Sequence, residues 1–305
     1  MTDLTTLLND LVVENDKVTE GIKYIQKFVT DKKEKDRKEI ENNIRIQQNR
    51  IDSAERNTAA AREKVRVPED YKTLKEAVER VHKDASLTTI IVGKGAGEHR
   101  IDGDYLEILS AMNIVGDPGV PRADIVILGG ILFKYGIQGN CHLQHLTLHQ
   151  AKGNGVWGQS SFTMEDVLVE ECGYSGVRAD SSDAVGRCTN VEVRQCGASG
   201  VKAQNGASIT LMGKKTSVHH NCTKGGNNEY GLKVYGASST IQLVFPLTKV
   251  IVSFNNNEDR KDRKWDWGAE QGGDINQIKT IGAPQSGETK NNQDNVNNVT
   301  QPLRF

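Results

Sequence analysis

The chain lacks most of the features from which a function is usually read. Neither charge is in excess: Lys and Arg number 39 against 40 Asp and Glu, a formal net charge of -1. That excludes the strongly basic balance of a nucleic-acid-binding domain, so no nucleic-acid partner is expected. No apolar run approaches the roughly 20 residues that a membrane-spanning helix needs, and no membrane partner is expected either. The opening MTDLTTLLNDLVVENDK has no basic segment, apolar core or small-residue cleavage site. It reads as a chain not secreted by a signal peptide. The 5 cysteines include no C-x-x-C pair, and no histidine near the repeated cysteines stands at paired ligand spacing with them. The expectation is therefore no metal, no cofactor and reduced, buried thiols, in the cytoplasm or as a component of a virus particle.

Turn signals are almost absent from residues 1–66, where there is no proline and Gly21 is the only glycine. What is there instead is helical periodicity. Leu8, Leu11, Val18, Ile22, Ile25 and Val29, then Ile44, Ile51, Ala54, Ala61 and Val65, recur at alternating spacings of three and four. This predicts a long amphipathic helix with a heptad seam, in which Asn15 takes a seam position where a buried amide fixes register. The charged stretch TDKKEKDRKE (30–39) interrupts the seam, which resumes shifted by one residue. Self-association, packing back on the chain's own domain and ordering on a partner all fit this helix; a homo-oligomer through residues 1–66 is the leading expectation.

Pro68 is expected to end that helix. In VRVPEDYKTLKEAVERV (65–81), Leu74, Ala77, Val78 and Val81 then predict a short amphipathic helix, followed by the strand-like TTIIVGKG (88–95). This Val-Pro-x-Asp-Tyr-x-Thr-Leu opening with its Ile-Ile-Val-Gly strand resembles the start of right-handed parallel β-helix proteins of the pectin-lyase-like superfamily. The resemblance implies a short helix capping the first open coil. It implies no activity.

A repeat carries the same reading independently. FTMEDVLVEECGYSGV (162–177) and CTNVEVRQCGASGV (188–201) pair Val167 with Val191, Val169 with Val193, Cys172 with Cys196, Gly176 with Gly200 and Val177 with Val201, all at an offset of 24. CHLQHLTLHQAKGNGV (141–156) matches the earlier unit at an offset of 21, and Cys222 follows Cys196 at 26. Strand-like units at a fixed period predict a three-sided solenoid in which like residues stack, so that Cys172, Cys196 and Cys222 form an interior thiol ladder. Five extra residues before GLKV (231–234) predict a loop bulging outward. VIVSFNNN (250–257) reads as the last rung, residues 265–281 as a segment that folds back or caps it, and 283–305 as an asparagine-rich mobile tail. The fold class expected is mainly β: a right-handed parallel β-helix over 67–282, preceded by a long N-terminal α-helix over 1–66.

Candidate chemistry lies on the outside. In each Gly-Val-x step the valine points inward and its follower outward, giving the column Trp157, Arg178, Lys202 and Lys233, with Asp180 and Gln204 on the same face. Such a basic ladder headed by an aromatic suits an acidic carbohydrate, with Trp157 stacking on a sugar ring, or a negative protein surface. A plain solvated face fits the same residues. For catalysis, Asp166, Glu170, Glu171, Asp180 and Asp183 are the carboxylates to consider, but they match no pectate lyase, esterase or glycoside hydrolase motif, and no catalytic residue is assigned. His145 and His149 lack a nucleophile for a triad, and GKGAG (93–97) lacks the ending of a phosphate loop. The function expected is a non-catalytic structural or recognition module. The alternative is a diverged polysaccharide lyase or glycoside hydrolase.

Overall fold

The computed structural model describes residues 18–30, 32, 64–95, 97–225, 228–257 and 265–282. They belong to two units, Met1–Glu63 and Lys64–Phe305. In the first unit, residues 18–30 form a short helix, α1, every residue of which is exposed. Its seam residues Val18, Ile22, Ile25 and Val29 are 60%, 52%, 62% and 43% exposed. The other expected seam positions, Leu8, Leu11, Asn15, Ile44, Ile51, Ala54 and Ala61, lie outside the described residues, as does the tail at 283–305.

The expected helix does not reach Pro68. Lys64–Val67 is a β-strand, paired in parallel with Thr89–Val92. Val65 and Val67 point inward and are buried while Lys64 and Arg66 are exposed, so a period of two governs here and not a period of 3.6. A second helix, α2 (Leu74–Lys83), follows. It opens on a capping box in which the Thr73 hydroxyl accepts from the Glu76 N–H and Glu76 accepts from the Thr73 N–H. Leu74, Ala77, Val78 and Val81 form its buried stripe, as their spacing predicts. The helix packs on the first strands and shields the end of the core.

The second unit is a parallel β-solenoid of about six turns. Strand registers sort it into three faces. The first face runs from Lys64–Val67 through Thr89–Val92, Asn113–Gly116 and residues 141–144 and 162–165 to Val185–Thr189, Ser208–Met212, Thr240–Val244 and Ile278–Ile281. The second face stacks residues 126–128, 147–149 and 167–170 with Glu192–Arg194, Ser217–His219 and Ser253–Phe254. The third stacks residues 105–108 and 130–133 with Val156–Gly158, Val177–Asp180, Val201–Gln204, Leu232–Tyr235 and Trp267–Glu270.

Strand alternation makes every second residue a core residue, and parallel stacking puts like over like. On the first face, Ile90, Ile114, Leu143, Met164, Cys188, Leu211 and Leu243 form one continuous inner column, all buried. The corner between the first and second faces is made by a single left-handed residue, His145, Asp166 and Asn190 in successive turns; Gln150, Glu171, Gln195, His220 and Asn255 do the same after the second face. All are polar, the types that tolerate this conformation best or can solvate a corner.

The expected offsets of 21 and 24 are the observed registers, with Val169 over Val193 and Val177 over Val201. The thiol ladder is shorter than expected. Val193 pairs with Val218, an offset of 25, so Asn221 and not Cys222 lies in line with Cys196. The strand pairing of Glu192–Arg194 with Ser217–His219 sets this register, and Cys222 falls one residue further on, at a left-handed φ of 63°. Residues 265–281 neither fold back nor cap: Trp267–Glu270 pairs with Leu232–Tyr235, and Ile278–Ile281 with Thr240–Val244, so they continue the coil by a further turn.

Candidate functional site

The expected outer column is present on the third face. Trp157, Arg178, Lys202 and Lys233 are direct neighbours across successive parallel strands. Their inward companions Val156, Val177, Val201 and Leu232 are fully buried, which fixes the direction of the followers. The column is less open than the alternation alone predicts. The Arg178 guanidinium covers the Trp157 ring at 4.9 Å, and Tyr105 meets that ring edge-on at 5.7 Å. The indole is therefore already engaged by two neighbours, with the guanidinium on one of its faces. Arg178 also bonds Asp180 at 2.7 Å.

Lys233 is the clearest departure: it is buried, at 2% exposure, where solvent contact is expected. The loop anticipated before GLKV supplies the reason, since it brings the Asn228 carbonyl and Glu229 onto the Lys233 ammonium. Glu270, from the next turn, completes the cage at 3.1 Å. Lys202 is half-buried and open only in lacking a counter-ion: among the described residues no carboxylate lies within ion-pair distance of it, and its ammonium stands over the Tyr235 ring at 5.1 Å. Burial, with Lys233 and Arg178 nearby, holds its pKa below the ordinary lysine value. Asp180 and Gln204, on the same strands, are buried as well. Burial pushes the Asp180 carboxyl up, but hydrogen bonds from Gln204, Asn205 and Arg178 together with the guanidinium charge bring it below the ordinary carboxylate value.

The densest polar constellation is elsewhere. Leu128, His149, Glu170, Arg194, His219 and Phe254 form a single outer column on the second face. Arg194 grips Glu170 through Nε and a terminal nitrogen at 2.8 and 2.6 Å and reaches Glu192 at 3.4 Å. Arg122, from the turn just before the strand at 126–128, bonds Asp166 at 3.1 Å and lies 3.8 Å from Glu192. His149 bonds Glu170 at 3.2 Å, and His219 stacks on Phe254 with ring centroids 5.1 Å apart. Three carboxylates and two guanidiniums thus form a network of ion pairs across several turns, flanked by the imidazoles of His149 and His219. The repeat offsets contain this column: from His149 onward each member stands two residues before the buried position occupied by Ala151, Cys172, Cys196, Asn221 and Asn256. It is missed by following the Gly-Val-x steps alone.

His145 holds this network to a neighbouring turn. Its Nδ1 lies 2.7 Å from Asp166 Oδ2 and its Nε2 2.9 Å from the Val120 carbonyl oxygen. Both partners are acceptors, so only the doubly protonated ring satisfies both. Its pKa is raised accordingly, first by the Val120 carbonyl, against the opposing effect of burial, and then by Asp166. A raised folded-state value gives a stabilisation complete below the unfolded value of about 6.5 and lost as pH rises through the folded value. The stability difference between the native chain and His145→Gln, followed by urea unfolding from about pH 5.5 to 8.5, should therefore shrink toward high pH; a difference independent of pH would show that folding leaves the ring's proton affinity unchanged.

The expected carboxylates do not converge. Asp166 belongs to the second-face corner with His145 and Arg122, Asp180 to the third face with Arg178 and Asn205, and Asp183 to the exposed turn beyond it, bonded to Ser181. Glu170 and Glu171 face His149. Among the described residues no group of three or more His, Cys, Asp or Glu is placed to hold a metal ion. Each of the five thiols is buried. Burial raises the pKa of Cys141 to about 11 and of Cys188 and Cys222 to about 12, while the Cys172 thiol, hydrogen-bonded to Cys196, is pushed well up. Cys141, Cys172, Cys188 and Cys222 are thus held as protonated packing groups and not as nucleophiles.

Fold and site together define a parallel β-solenoid whose outer faces carry ordered polar columns. No family model, curated protein or solved structure matches the chain.

Proposed function

We propose that this chain is a non-catalytic structural or recognition module: a right-handed β-helix of the pectin-lyase-like kind, held in an assembly of its own copies through a coiled coil at its N-terminal helix. Right-handedness is the reading favoured by the strong preference of parallel strand crossovers for that hand. The observation that carries the assembly is the stripe Val18, Ile22, Ile25 and Val29 at heptad spacing, with all four side chains exposed on α1. Such a stripe loses most by staying in water and gains most by meeting its like. The third face, with the open cation Lys202 beside Arg178, is the surface proposed for recognition of an acidic partner, a carbohydrate among them.

A second reading, a diverged polysaccharide lyase or hydrolase, draws on one observation: Asp166, Glu192 and Glu170 are linked through Arg122 and Arg194 on a single face. Their engagement by guanidiniums and imidazoles favours the scaffold, because a general acid must instead hold a proton near neutral pH. The full chain should sediment as an oligomer and Ile22→Lys/Ile25→Lys as a monomer, while a panel of acidic polysaccharides, with and without calcium, should release no shorter chains. A native monomer, or cleavage that is lost in Glu192→Gln, would replace the scaffold reading.

A further inference from the structure

We infer that α1 joins three copies of this chain, in place of the two that a simple zipper would join. The inference rests on the self-association proposed above and specifies its number. With the heptad written a to g, Ile22 and Val29 occupy a, and Val18 and Ile25 occupy d. All four are β-branched. In a two-stranded coiled coil, the d side chain points directly across the axis at its partner, a geometry that suits leucine and crowds a branched Cβ. Branched residues at both a and d therefore shift the preference toward three or more strands, with isoleucine at both the three-stranded pairing.

The flanks of the seam agree. Positions e are Thr19 and Gln26, and positions g are Gly21 and Phe28; none carries a charge. In a two-stranded coil these positions form a wet rim, usually filled by Glu and Lys that pair between helices. A third helix closes over them, and burying uncharged side chains there costs far less than burying charged ones. Phe28, 61% exposed on the single helix, gains most. The charges of α1 fall elsewhere: Glu20 and Lys27 take f and Lys23 takes b, on the side away from the seam. A helix of this length is marginal alone in water, so association and helix formation are expected to be one event.

The full chain at micromolar concentration should show, by light scattering coupled to size exclusion and by sedimentation equilibrium, a mass three times that of the 33.6 kDa chain. Val18→Leu/Ile25→Leu, which gives d the residue preferred by two strands, should move the mass toward twice that of one chain. Both positions are exposed on α1, so the solenoid is untouched. A native dimer or tetramer would overturn the inference while leaving self-association standing. A native monomer would overturn both. A Leu variant that remains a trimer would show that the branched seam does not set the number.

Discussion

Asn221→Leu should destabilise the solenoid by about 2–5 kcal/mol, among the largest effects available from one side chain. The residue is fully buried, and its shape alone could be filled by leucine. Its hydrogen bonds cannot. The side-chain oxygen accepts the Cys196 backbone N–H at 3.1 Å, while the side-chain nitrogen donates to the Val193 and His219 carbonyls at 3.1 and 3.0 Å and to Asn256 Oδ1 at 3.0 Å. Asn256 repeats the pattern one turn on, donating to the Val218 and Phe254 carbonyls and to Asp266. Leucine would leave the Cys196 N–H buried without the partner the amide supplies, at about 1–3 kcal/mol, and would take one hydrogen bond from each of the Val193, His219 and Asn256 oxygens, at about 0.5–1.5 kcal/mol apiece. The change is read as a shift of the urea midpoint at constant slope. A loss below about 1 kcal/mol would mean that water replaces the amide, and that the asparagines only fill space.

Gly176→Val should be comparably damaging, and for a steric reason. A Cβ at Gly176 would lie 2.2 Å from Val193 Cγ1, 2.9 Å from the Gly200 carbonyl oxygen and 3.1 Å from Cys196 Sγ. Gly155 and Gly200 stand in the same relation to the turns beyond them, with Val169 at 2.4 Å and Val218 at 2.3 Å. The glycine is the place where the chain enters the third face against the inner valine of the next rung, so any side chain must move that rung. Overpacking of this kind costs about 1–3 kcal/mol, and a branched residue against backbone more than that. Gly97→Ala serves as the control, because a Cβ there meets no atom within 4 Å. Equal midpoints for the two variants would show that the rungs can slide apart at little cost.

Much of this fold is legible in the chain because a solenoid writes its core at fixed intervals. Val167, Val169, Val177 and Gly176 recur one turn on, so the register follows from matching letters. It fails where a local rule meets a competing one. Lys64–Val67 sits at the end of a helical pattern and contributes only two inward valines, too few for a period of two to stand out. Cys222 attracts attention by its identity, whereas strand pairing counts residues and selects Asn221. Residues 265–281 carry no repeat letters beyond scattered isoleucines, and their place in the coil follows from pairing alone.

The outer surface is legible to a lesser degree. The order Trp157, Arg178, Lys202, Lys233 follows from the valines beneath them, but accessibility does not, because it depends on chain that arrives from elsewhere: Glu229 from the loop and Glu270 from the following turn. The network joining Arg122 to Asp166 and Glu192 spans residues far apart in sequence, and no local spacing announces it.

The segment between Cys222 and Tyr230 has a consequence for how such a molecule can change over generations. Val218 and Leu232 on either side of it keep their places in the stack, under Val193 and Val201, despite the added residues. Length can therefore be gained or lost at this corner without disturbing the interior, and each insertion rewrites which of the neighbouring side chains meet the solvent. Lys233 is covered in this way and Lys202 is not. The corner is a port at which the chain can vary its outer surface while the stacked interior keeps its register.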